Sequence, residues 1–136
     1  MGDRMGVAGP MTCVELVAAL TVELERDPVD ADWALRLVGM TVDGLRDIAH
    51  QGDTASWGLF AAAPGLERLP VTWATLVAGV IGHHARIWTG DAPPWCDIAP
   101  LPTPWAPWRP GRVPRRPIKG LRDLNVLLDA SWFETV

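Results

Sequence analysis

VTWATLVAGVIGHHARIWTG, residues 71–90, decides the fold. Trp73, Leu76, Val77, Val80, Ile81, His84, Ile87 and Trp88 recur with the 3.6-residue period of one helical face. Thr72 stands as N-cap, with Val71 and Leu76 spaced as a hydrophobic staple. Gly90 falls where a left-handed C-cap is expected, and Pro93-Pro94 follow where a helix cannot continue. Ala78, Gly79 and Gly82 add a face of small residues. A mid-helix glycine costs about 1 kcal/mol relative to alanine, so two of them predict the close approach of another backbone. This helix is expected to be the central one.

Three helices are expected before it. Thr12-Cys13-Val14-Glu15 is a capping box, and Leu16, Val17, Leu20 and Leu24 form an apolar stripe that Asp27-Pro28 stops. A second helix runs from about Asp30 to His50, capped by Asp30 or Asp32. Trp33, Leu37, Met40, Leu45 and Ile48 fall on its broad apolar face, while Asp43 and Asp47 pair in sequence with Arg46 and Arg36 on the wet side. Gly52-Asp53 breaks it. Asp53 can then cap a short third helix, Thr54 to Ala63, ended by Pro64-Gly65.

Beyond the central helix the character changes. Nine of the thirteen prolines lie between Asp91 and Pro117, with Trp95, Trp105 and Trp108 among them. That proline density forbids a regular helix or a central strand, while three tryptophans argue against an aromatic-poor disordered linker. The segment reads as an extended strap whose tryptophans plug grooves on the helical body. After it, Ile118 to Leu128 forms a short helix or, alternatively, Asn125 to Leu128 forms a strand-like run, before a final turn at Ser131 to Thr135.

Composition limits the function classes. At 136 residues, 49% apolar and 21% charged, the chain fits one globular domain. Its longest apolar stretch, near Val71 to Ile81, falls short of the roughly 20 residues that span a bilayer, so no membrane association is expected. The N-terminus lacks the charged-then-apolar order of a signal peptide. Cys13 and Cys96, without a CxxC pattern, read as small buried residues of a cytoplasmic protein. Eight Trp, no Tyr, and eleven Arg against one Lys match a GC-rich genome, so arginine usage alone carries little functional information. Charge is uneven: residues 1–97 hold thirteen acids and six bases, a balance of −7, and residues 98–136 hold three acids and six bases, +3.

Catalytic signatures are missing. Ser56 and Ser131 lie outside any GxSxG context, and no GxGxxG or Walker loop occurs. Asp30/Asp32 and Asp43/Asp47 read as caps and solvated faces. Cys96, in Pro-Pro-Trp-Cys-Asp, would be reactive only if exposed. His83 and His84 are the residues to inspect for a metal, but adjacent helical histidines diverge by about 100°, whereas ligands on a helix need i,i+3 or i,i+4 spacing. The basic run from Arg109 to Arg122 fits phosphate recognition, with Trp105 and Trp108 available for stacking. It fits equally a clamp on the chain's own acidic body, or an acidic partner.

The order of a tryptophan-bearing helix (Trp73 to His84), Pro94-Trp95, the segment Trp105 to Trp108 and NVLLD (Asn125 to Asp129) resembles small proteins of GC-rich actinobacteria associated with helix-turn-helix regulators and toxin–antitoxin modules. The resemblance covers about half the chain and implies a partner-binding, antitoxin-like role; no catalytic residue carries over.

These readings predict a mainly all-α protein, a bundle of four to five helices. Residues 1–10 are a disordered tail, 11–90 the helical body, and 91–136 the strap and C-terminal element packed on the same domain. The expected function is that of a protein-interaction module that binds a protein partner through Trp95, Trp105, Trp108, Arg109, Arg112, Arg115 and Arg116. A nucleic-acid binder using the basic segment, or a small metal-dependent enzyme using His83 and His84, are the alternatives. No cofactor is implied, and a homo-oligomer is compatible with the pattern.

Overall fold

In the computed structural model, which describes residues 12–52, 54–107 and 114–133, helix α1 (Cys13–Glu23) begins at the capping box. The Glu15 amide donates to the Thr12 hydroxyl at 3.1 Å, and the Thr12 amide donates to the Glu15 carboxylate at 2.9 Å. Two of the orphan donors of a helix start are thereby satisfied. Helix α2 (Ala31–Gln51) is capped by Asp30, whose carboxylate accepts from the Trp33 amide at 3.0 Å, and it ends at Gly52 with φ +66°. Its buried face is wider than the sequence stripe: Leu35, Val38 and Val42 join Leu37 and Leu45, while Trp33, Met40 and Ile48 are only half-buried. Arg46 pairs with Asp43 at 3.1 Å. Arg36 pairs with Asp32, also at 3.1 Å, and not with Asp47, because only the i,i+4 spacing brings the two side chains together.

Helix α3 (Thr54–Phe60) is three residues shorter than expected. Pro64 disfavours helical backbone at Ala63, and the Ala61 carbonyl accepts the indole N–H of Trp95 at 2.9 Å. The expected Asp53 cap lies outside the described residues. A 3₁₀ turn (Leu66–Arg68) leads into α4 (Val71–Thr89). Pro70, not Thr72, holds the N-cap position: its carbonyl accepts from the Ala74 amide at 2.9 Å and leaves Val71 as the first helical residue. Val71 is 68% exposed, so the Val71–Leu76 staple does not form. Gly90 closes the helix with φ +88°.

Helix α4 is the central element, buried on all sides from Trp73 to Gly82. It packs against α2 on one side and against helix α5 (Lys119–Arg122) on another. The small residues serve that contact, although the atoms they admit belong to side chains and not to a backbone. A Cβ on Gly79 would lie 2.6 Å from Leu121 Cδ2 and 2.9 Å from Leu124 Cδ1; a Cβ on Gly82 would lie 3.1 Å from Cys96 Cβ. The last turn of α4 leaves the core, so that Ile87, on the predicted stripe, is 61% exposed.

Residues 91–107 of the strap cross the body without regular helix or strand, apart from one 3₁₀ turn at Pro94–Cys96. Instead of a helix over 118–128, α5 is a single turn. Asn125 then adopts φ +65°, and the chain runs alongside the strap. Trp105 and Val126 form a parallel bridge, in which the Trp105 amide donates to the Asn125 carbonyl and the Leu127 amide to the Trp105 carbonyl, both at 2.8 Å. The Asn125 side chain adds a bond to the Leu101 carbonyl at 2.6 Å. A final 3₁₀ turn, Ala130–Phe133, packs on α2. The described residues contain five α-helices and no extended strand. Leu101, Ile118, Leu121, Val126, Leu128 and Phe133 share one apolar core with α1, α2 and α4. The N-terminal tail, residues 1–10, lies outside the described residues.

Candidate binding site

The two described tryptophans of the strap, Trp95 and Trp105, have partners inside the protein. The Trp95 indole bonds to Ala61, and Trp105 meets Trp73 edge to face with ring centroids 5.4 Å apart. Both are half-buried. Trp108, Arg109 and Arg112 lie outside the described residues. Arg115 and Arg116 stand at the start of the C-terminal element, where both backbone amides donate to one oxygen of Asp129, at 3.0 and 3.1 Å. The Ser131 amide donates to the other oxygen at 2.9 Å. These bonds hold the Asp129 carboxyl at a pKa of about 2, because each favours the ionised form. The side chains of Arg115, Arg116, Lys119 and Arg122 are all exposed.

His83 and His84 sit on α4 with ring centroids 5.0 Å apart and planes nearly perpendicular. His84 lies among Trp88, Phe133 and His83. Its Nδ1 is 2.9 Å from the Val80 carbonyl, which can only accept, so Nδ1 carries the hydrogen. Burial is the main cause holding the pKa of His84 below the ordinary histidine value, with His83 and Arg46 adding to it and the Val80 bond opposing. Burial, then Arg86, lowers that of His83. His83 packs on the backbone of α5: a Cβ on Gly120 would lie 3.3 Å from His83 Cβ. Among the described residues no three His, Cys, Asp or Glu side chains converge as metal ligands do. Cys13 and Cys96 are buried free thiols, and burial pushes both up to about 12.

A cleft of about 610 Å³ lies between body and strap. The last turns of α2 and α4 reach it, through Ile48 and Gly52 on one side and Trp88 and Thr89 on the other. Trp57 and Ala61 supply the α3 wall, and residues 91–94 close the far side. The Trp95–Ala61 bond pins the strap against α3 next to this wall. Trp57 is held by Phe60, stacked at 6.0 Å, and Trp88 by the Arg46 guanidinium, 5.4 Å from its ring centroid. Asp91 is the only ionisable side chain among the described lining residues. The volume and the apolar, aromatic lining fall in the range of ligand-binding pockets.

Sequence reasoning placed Trp88 on a packing stripe and assigned Trp57 no role. The one local signal was a tryptophan on a seven-residue helix too short to bury it. The convergence of two helix C-termini on the strap is a tertiary fact without a local signature. Comparison of the chain with protein-family models, with curated proteins and with solved structures finds no match.

Proposed function

We propose that the protein is an interaction module that takes an apolar segment of a partner protein into the cleft between α2, α3, α4 and the strap. The observation that carries this reading is a cleft of about 610 Å³ flanked by Trp57 and Trp88, while the described tryptophans of the strap are engaged internally. Tryptophan is a preferred hot-spot residue because it buries a large area at low conformational cost. Among the described lining residues Asp91 has no second acid–base group beside it, which favours binding over catalysis. An antitoxin-like task, implied by the resemblance, is one form this role would take.

Gly58 supplies the test. It lines the cleft, and a Cβ added there meets nothing within 4 Å. Gly58→Phe therefore adds a bulky side chain to the cleft wall with no clash at its Cβ. In a pull-down from the native source, the wild-type chain retains a stoichiometric partner and Gly58→Phe does not, although the variant unfolds at no lower a temperature. Equal retention by the two chains refutes the reading.

A second reading rests on the exposed side chains of Arg115, Arg116, Lys119 and Arg122, four cations within eight residues. Binding of nucleic acid through them predicts affinity that falls steeply with salt and is lost in Arg115→Ala/Arg116→Ala. Affinity that is indifferent to both excludes it.

A further inference from the structure

We infer that the partner segment presents a cationic side chain, an arginine, to the cleft. This rests on the cleft being the binding site, and it follows from the charge the fold gathers there. Helices α2 and α4, of 21 and 19 residues, both end at the cleft. The C-terminus of a long helix carries about half a negative charge, concentrated on the carbonyls of its last turn. Two such ends and the exposed Asp91 carboxylate amount to roughly two negative charges; no Lys or Arg is among the described lining residues, and Arg86, the basic residue in the last turn of α4, lies beside Gly82.

Trp57 and Trp88 add aromatic faces, which attract cations through the ring quadrupole. Trp88 already does so within the chain: Arg46 lies over its ring, with its own charge offset by Asp43 at 3.1 Å. Apolar walls of Ile48, Ala61, Ala92 and Pro93 fit the methylene stem of a long side chain better than a compact hydrated ion. Guanidinium is preferred to ammonium because it is planar, stacks on indole and is more weakly hydrated. An anionic segment would meet the C-terminal carbonyls and Asp91 with repulsion, and a purely apolar one would strip water from the Asp91 carboxylate, to which the Ala92 amide donates at 2.9 Å.

The test uses an isosteric pair. The full-length chain, with ¹⁵N-labelled indoles, is titrated with acetyl-Leu-Arg-Leu-amide and with the same peptide carrying citrulline, which keeps the shape of arginine and removes its charge. The Nε1–H resonances of Trp57 and Trp88, assigned by Trp→Phe substitution, report occupancy. The arginine peptide is expected to shift both and to bind about tenfold more tightly than the citrulline peptide, the factor given by one charge-assisted contact. Asp91→Asn should remove most of that difference and leave citrulline binding unchanged, and Gly58→Phe should abolish both titrations. Equal affinity for the two peptides overturns the cationic preference and leaves the cleft as a binding site. If neither peptide moves the two resonances, or if Gly58→Phe still binds, the cleft reading falls as well.

Discussion

Gly79→Ala and Gly58→Ala are the same chemical change in two helices, and the structure gives them opposite signs. In an unobstructed helix interior, alanine is favoured over glycine by about 1 kcal/mol, because glycine loses more backbone freedom on folding. At Gly58 the new methyl meets nothing within 4 Å, so Gly58→Ala should stabilise by about 0.5–1 kcal/mol. At Gly79 it would lie 2.6 Å from Leu121 Cδ2 and 2.9 Å from Leu124 Cδ1. Leu124 is half-buried and can swing aside, but Leu121 is fully buried and has nowhere to go. Overpacking of this kind costs about 1–3 kcal/mol, which exceeds the propensity gain and leaves a net loss of about 1 kcal/mol. The two sites should therefore differ by about 2 kcal/mol, read as the separation of their urea midpoints at a common slope. Leu121→Val in the Gly79→Ala background should recover part of the loss, giving a coupling of at least about 0.5 kcal/mol. If Gly79→Ala stabilises as much as Gly58→Ala, α5 does not seat its leucines on α4, and the packing assigned to the central helix is wrong.

Asn125, with φ +65° and a side-chain bond to the Leu101 carbonyl, should lose about 2 kcal/mol on change to Ala. Change to Gly, which keeps the conformation and loses only the bond, should cost about 1 kcal/mol, measured by denaturant unfolding. The Asp129 carboxyl is lowered from 3.8 to about 2 in the fold, so its stabilisation is complete above pH 4 and is lost as pH falls from about 4 to 2. Given its partial exposure to solvent this is worth about 1 kcal/mol, and Asp129→Asn should flatten the stability curve in that window, as followed by thermal melts. Cys13 and Cys96, buried thiols raised to about 12, should resist a disulfide reagent at pH 8 in the native protein and react in denaturant. Trp105→Ala, which removes the contact with Trp73, should lower the melting temperature and speed the labelling of Cys96.

The helices were legible because their signals are local. The Thr12–Glu15 capping box, the Asp30 cap, and the glycines at 52 and 90 each act within a turn or two of their own position. The periodicity from Trp73 to Ile81 likewise reports a helix surrounded by the core. Errors arose where a distant partner decides. Ala61 leaves the helical pattern beside Pro64 and gives its carbonyl to Trp95, 34 residues away. The run Asn125 to Leu128 becomes strand-like through its pairing with Trp105, and Gly79 is fixed by leucines more than 40 residues further on. Trp95 and Trp105 were legible as anchors of the fold, since proline-rich backbone must be held by side chains where it lacks regular hydrogen bonding. The cleft was not legible, because Trp57, Trp88 and Asp91 belong to three elements whose convergence depends on all of these contacts together.

The measurement that bears most directly on the cleft as the binding site is calorimetric titration of the purified partner into the wild-type chain and into Gly58→Phe. Binding in the cleft predicts at least a tenfold weaker affinity for Gly58→Phe, about 1.4 kcal/mol, at a melting temperature no lower than that of the wild-type chain. Equal affinity would show that the partner binds elsewhere and would contradict it.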